Sequence, residues 1–146
     1  MEANVAPRWW VRLFGGGARA PLDPSAADLV VVAASFDDAE ASSTALARAT
    51  GWRSEADAVL RHHLRIPAQE REQVCAIAAQ DGYLPDPRTD SSSPDGLEEV
   101  ILQRVQVLDA LHLSQERSRM AGLAQRHNGT ADGWDALQPD PATEQR

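Results

Sequence analysis

The residues able to do chemistry are few. His62 and His63 stand side by side, Cys75 is the sole cysteine, and Asp37, Asp38 and Glu40, then Glu98 and Glu99, form acidic clusters. Adjacent histidines suggest a metal chelate, a cysteine a nucleophile, and paired carboxylates acid–base catalysis. Their surroundings argue otherwise. The two histidines lie in an alternating stretch, Leu60-Arg61-His62-His63-Leu64-Arg65-Ile66, and neighbours on a strand point to opposite faces. They cannot converge on one ion, and no Cys or carboxylate partner recurs at ligand spacing. Cys75 sits beside Val74 and Ile77 with no local base, which is the setting of a structural thiol. The acidic clusters fall at expected helix starts and strand edges, where capping and solubility account for them. No catalytic constellation, cofactor or metal is therefore expected.

A binding surface is the remaining candidate. With Leu60, His62, Leu64 and Ile66 on the inner face of the strand, Arg61, His63 and Arg65 form the most charged outward row and the expected partner contact. His62 then reads as a core or half-buried histidine. Asp132-Gly133-Trp134 is a second candidate. Gly133 would supply an unusual backbone angle and Trp134 a large contact area, although Trp134 anchoring the last strand in the core is the simpler reading.

The composition sets the limits. The chain has 146 residues, 42% hydrophobic and 25% charged, with net charge -8. That is a single soluble domain with some chain left for tails. All 14 basic residues are arginine, so Schiff-base lysine chemistry and a phosphate-loop lysine are excluded. One cysteine excludes an internal disulfide and fits a cytoplasmic location. The acidic balance argues against direct nucleic-acid binding. The longest apolar run, Leu29 to Ala34, is far too short to span a bilayer, and no export signal is present, so no membrane role is expected.

Three units position these residues, each a strand, a helix and a turn ending in glycine and an aromatic. The first has a strand from Leu29 to Ala34, a helix near 38–50 capped by Ser35, Asp37 or Asp38, and a turn at Gly51-Trp52. The second has a strand at 58–66, a helix at 68–80 led by Pro67, and Gly82-Tyr83 opening a short strand at 82–85. A polar loop follows to Gly96. The third has a strand at 97–108, whose Gln103, Arg104 and Gln106 leave its face ambiguous and suggest a bulge. Its helix runs over 114–127 with Ser114 as N-cap, and an edge strand at 131–137 ends it. Leu123 and Trp134 are expected to share one core. Strand–helix–strand twice over is the ferredoxin-like, split βαβ plan of an α+β protein, here with an extra N-terminal strand–helix unit. The expected divisions are an arm at 1–26 carrying Trp9 and Trp10, a domain at 27–137 and a disordered tail at 138–146.

The stretch Leu60 to Pro67, the helix ending Asp81-Gly82-Tyr83, and Ser114 to His127 closing on Asp132-Gly133-Trp134 together resemble the regulator of ribonuclease activity B family over roughly residues 57–137. His62, Leu123, Gly133 and Trp134 carry the signature. The resemblance implies a ferredoxin-like α+β domain that is not an enzyme and that modulates RNA cleavage by binding a ribonuclease E-type endoribonuclease. The alternative is a homo-oligomeric structural or small-ligand-binding α+β module with no ribonuclease role.

Overall fold

The computed structural model describes residues 21–87 and 94–144. The Trp9-Trp10 arm, positions 88–93 of the polar loop and the last two residues lie outside the described residues. The elements in chain order are β1 (Leu29–Ser35), α1 (Ser42–Arg48), β2 (Asp57–Pro67), a 3-10 turn (Ala68–Glu70), α2 (Arg71–Ala79), β3 (Leu84–Pro85), β4 (Leu97–Val107), α3 (Ala110–Arg126), β5 (Thr130–Pro139) and α4 (Pro141–Glu144). The strands form one sheet in the order β1-β5-β2-β4-β3, antiparallel throughout. The α+β class expected from the sequence is what is found. The chain order from β2 to β5 is strand–helix–strand–strand–helix–strand, and the first unit joins the same sheet at the β5 side.

β2 lies at the centre because it satisfies both neighbours. Its inner face is Leu60, His62, Leu64 and Ile66, all buried, while Arg61, His63 and Arg65 alternate to the other face. All three longer helices pack on the inner face. Leu64, Ile66, Tyr83 and Leu102 of the sheet side meet Val74 of α2 and Met120 and Leu123 of α3. Leu60, Trp134 and Ala33 meet Leu46 of α1 and Leu113 of α3 in a second cluster. Leu123 and Trp134 are thus both buried, but in separate clusters rather than the shared core expected.

Several boundaries differ for physical reasons. The last long helix begins at Ala110, not at Ser114. Asp109, in extended conformation, accepts the His112 amide at 2.8 Å and caps it one turn earlier. The first helix begins only at Ser42. Asp37 and Asp38 stay in a turn, where Asp37 accepts the Ala39 amide, and Ala41 caps the helix without a side-chain bond. Pro67 closes β2 rather than opening a helix. β4 carries no bulge, since its register with β2 is unbroken from Val107 to Leu97. Its Arg104 faces the helices and finds polar partners there, which is why the hydrophobic pattern read as ambiguous. The bulges sit elsewhere: Val32 is the extra residue of β1 against β5, and Asp132 that of β5 against β2.

β5 is not an edge strand, because β1 covers it from Leu29↔Pro139 to Ser35↔Trp134. It also runs past 137. Gln138, expected in the tail, is fully buried; its side chain accepts the Arg53 amide and donates to the Arg53 carbonyl, both at 2.9 Å. Chain 141–144 continues as α4.

Candidate functional site

The sheet face turned away from the three helices holds the expected partner row, and it holds more than that row. Arg61 on β2 is paired in register with Asp135 on β5. Its Nε donates to Oδ1 and its Nη2 to Oδ2, both at 2.7 Å, a planar two-point clamp. Arg61 Nη1 also lies 3.7 Å from Asp86, which is buried where the chain leaves β3. His63 Nε2 is 3.3 Å from Asp135 Oδ2, its Nδ1 is 3.6 Å from Glu99, and its ring stands edge-on to Phe36 at 5.0 Å. Arg65 Nη2 donates to Asp95 at 3.0 Å. Burial pushes the Asp135 carboxyl up, but the hydrogen bonds and charge of Arg61, with His63 alongside, outweigh this and hold it below the ordinary range. The Arg61 guanidinium is correspondingly raised by the Asp135 pair.

The structure therefore gathers Arg61, His63 and Arg65 on one face, as expected, but corrects their state. Arg61 and His63 do not face open solvent. Their side chains are 16% and 12% exposed and are engaged by carboxylates. Arg65 and Glu99, at 38% and 49%, are the charges of this row that reach the surface. Asp135 and Asp86 escaped sequence reasoning. Nothing in the local pattern marks them; only the β2–β5 register and the turn after β3 bring them to Arg61.

On the inner face, His62 is almost fully buried and opens a polar chain. Its Nε2 lies 3.4 Å from the Tyr83 hydroxyl, which donates to Glu116 Oε1 at 2.9 Å. Arg104 lies 4.3 Å above the Tyr83 ring, reaches Glu116 Oε2 at 3.4 Å and donates to the Asp81 carbonyl at 2.7 Å. Burial, then the Arg104 charge, lowers the His62 pKa to about 3, so the ring is neutral near pH 7. Burial drives the Tyr83 hydroxyl well up. Tyr83 and Glu116 could not be linked to His62 from sequence spacing, because they sit 21 and 54 positions on in the chain and on different elements.

Beside His62 a cavity of about 370 Å³ opens between the 38–42 segment, the first half of α3, and Asp132-Gly133-Trp134. Arg117 closes one wall. Its Nη1 donates to the Glu40 carbonyl at 2.7 Å and to Ser42 Oγ at 3.3 Å, and its Nη2 to the Asp37 carbonyl at 3.4 Å. Gly133 has an ordinary φ, contrary to expectation. Its need is space: a Cβ would fall against the Phe36 ring and 2.6 Å from the Ser35 carbonyl oxygen. Trp134 is fully buried.

Cys75 is half-buried on α2, and burial pushes its thiol up more than Arg71 lowers it, which opposes a reactive thiolate. Among the described residues no three His, Cys, Asp or Glu side chains gather as a metal site. No helix among them is long and apolar enough to cross a membrane.

The family model described as regulator of ribonuclease activity B matches residues 37–136, from the turn after β1 to the buried part of β5. No curated protein and no solved structure matches the chain.

Proposed function

The chain belongs to the regulator of ribonuclease activity B family, and from that membership we propose that it modulates RNA cleavage by binding a ribonuclease E-type endoribonuclease, without performing chemistry itself. The family match across both faces of the sheet carries this reading. A regulator that acts by occupying a partner's surface needs a shaped patch and no catalytic group.

The helix-free face is the proposed contact. Arg61, clamped onto Asp135 with His63 beside it, gives it a fixed charge pattern, and Arg65 and Glu99 present that pattern to a partner. The reading also places the chain in the cytoplasm with a protein as its direct partner. A net charge of -8 supports a protein over RNA, because phosphate would be repelled.

The test is cleavage of a defined RNA by the endoribonuclease with and without the chain, together with binding at two salt concentrations for the wild type and Arg65→Glu. The chain is expected to slow or redirect cleavage and to bind more tightly at low salt. Arg65→Glu should weaken binding and flatten the salt dependence, as for a charge at an interface rim. No binding by the wild type at low salt sinks the regulatory role. Unchanged binding and salt dependence in the variant would move the contact away from this face.

A further inference from the structure

We propose that the N-terminal arm, through Trp9 to Phe14, docks on the helix-free face of its own sheet, along the apolar row Val31, Leu137, Val59 and Val105. The proposal goes beyond the ribonuclease reading and does not depend on it.

The row is built by register. Val31 of β1 pairs with Leu137 of β5, Leu137 with Val59 of β2, and Val59 with Val105 of β4. Directly paired residues share a face, and Val59 stands two positions before Arg61, so all four lie on the face turned away from the helices. Neither helix-side cluster contains any of them. Val59 is buried at the centre of the row, Leu137 and Val105 are half-buried, and Val31 is exposed. Of the six exposed large apolar side chains among the described residues, four belong to this face. They are Val31, Val107 two positions beyond Val105, Leu84, which pairs with Gln103, and Phe36, which stands edge-on to His63. Apolar surface gathered on one face and left without a helix marks a contact.

Three observations choose the occupant. The first is composition: in Trp9-Trp10-Val11-Arg12-Leu13-Phe14 every residue but Arg12 is apolar. The second is charge. Arg8, Arg12 and Arg19 against Glu2 give residues 1–20 a charge of +2, so with -8 in total the rest of the chain carries -10. Asp57, exposed and paired with Val107, sets a carboxylate at the end of the row for Arg8 or Arg12. A second copy carries the same -8 and is repelled. The third is the tether. The chain enters the sheet at Leu29, two positions before Val31. Gly15 to Ala20 can span up to about 20 Å, and the row crosses three strand spacings, about 14 Å. A segment tethered this closely meets the row at roughly millimolar effective concentration.

The test uses full-length protein with ¹³C-labelled Val and Leu methyl groups. Nuclear Overhauser contacts from the Trp9 and Trp10 ring protons should reach the methyls of Val31 and Val105. Trp9→Ser with Trp10→Ser should remove these contacts and shift the Val31, Val105 and Val107 signals, leaving those of Leu64 and Val74 on the helix side in place. The wild-type contacts need no variant, so they stand as a test even if the double variant folds poorly. An equal mixture of labelled and unlabelled chain separates the occupants. Contacts within one chain are expected; contacts only between chains overturn the proposal in favour of a second copy. Absence of any contact to the row overturns it too, as do contacts to the helices in its place. No ribonuclease is present, so failure of the regulatory reading leaves these outcomes untouched.

Discussion

At the scale of single residues, two histidines that share a peptide bond live in different chemistry. His63 lies between two carboxylates, whereas His62 is sealed against Tyr83, with Arg104 and Arg117 adding repulsion to a ring that is already desolvated. His62 makes a testable demand on pH. Its folded pKa of about 3 lies below the value of about 6.5 in an unfolded chain. The folded value is the depressed one, so its contribution is complete above about pH 6.5 and is lost as pH falls toward 3. The loss approaches about 1.4 kcal/mol per pH unit within that window. Urea titrations between pH 7 and 4.5 should show wild-type stability falling faster than that of His62→Gln; parallel curves would refute the buried neutral ring. The outer row makes a second demand. Arg61→Glu would leave Asp135 without its clamp and set a new carboxylate beside Asp86, so it should cost about 3–5 kcal/mol. Arg65→Glu, at a more exposed pair, should cost about 1 kcal/mol or less. Equal denaturation midpoints for the two would show that the Arg61 pair is not buried in solution.

At the scale of elements, α3 holds the two core clusters together, with Leu113 in one and Met120 and Leu123 in the other. Leu123 is 3% exposed. Leu123→Ala should cost about 2–5 kcal/mol, read as a lower urea midpoint at an unchanged slope. The exit of α3 shows how tightly the elements meet. Asn128, at φ 64, takes the left-handed position that glycine often fills, and Gly129 serves a different purpose. A Cβ at Gly129 would fall against the Arg65 carbonyl oxygen and 2.6 Å from Ile66 Cδ1. Because the obstacle is β2 backbone, Gly129→Ala should cost about 1–3 kcal/mol by forcing strand and helix apart. Gly51→Ala meets open space and should show only the strain of its positive φ. Calorimetry on both variants separates crowding from conformational strain.

At the scale of the molecule, the family match begins at residue 37, yet β1 lies before it and completes the sheet. β1 is tied to the matched region by its ladder with β5, by Ala33 in the core beside Leu46, by the Arg48 guanidinium on the Ala34 carbonyl at 2.7 Å and by the Ser35 hydroxyl on Glu40 at 2.6 Å, among other contacts. Removing residues 1–36 would turn β5 into an open edge. Edge strands with unpaired main-chain groups recruit other chains. The truncated protein should show a lower denaturation midpoint and a larger mass by light scattering than the full chain. A monomer of unchanged stability would mean that the matched region folds without β1.

What the sequence alone determined was local. Alternation placed Leu60, His62, Leu64 and Ile66 inward and Arg61, His63 and Arg65 outward, because side chains on a strand alternate whatever they meet. The helices on α3 and α2 were legible from their apolar stripes, and Gly51 and Gly82 from their place after helices. Legible too was the family signature through Asp132-Gly133-Trp134. Only the tertiary structure decided what those faces touch. The bulge at Asp132 and the register of β5 set Asp135 under Arg61, converting an expected exposed cationic row into a half-buried ionic lattice. The meeting of β4, α3 and the turn before β3 set Arg104, Glu116 and Tyr83 around His62, converting a charge interruption into a buried network. Pairings between residues tens of positions apart depend on strand order and register, and neither is written in the spacing of residues along one strand.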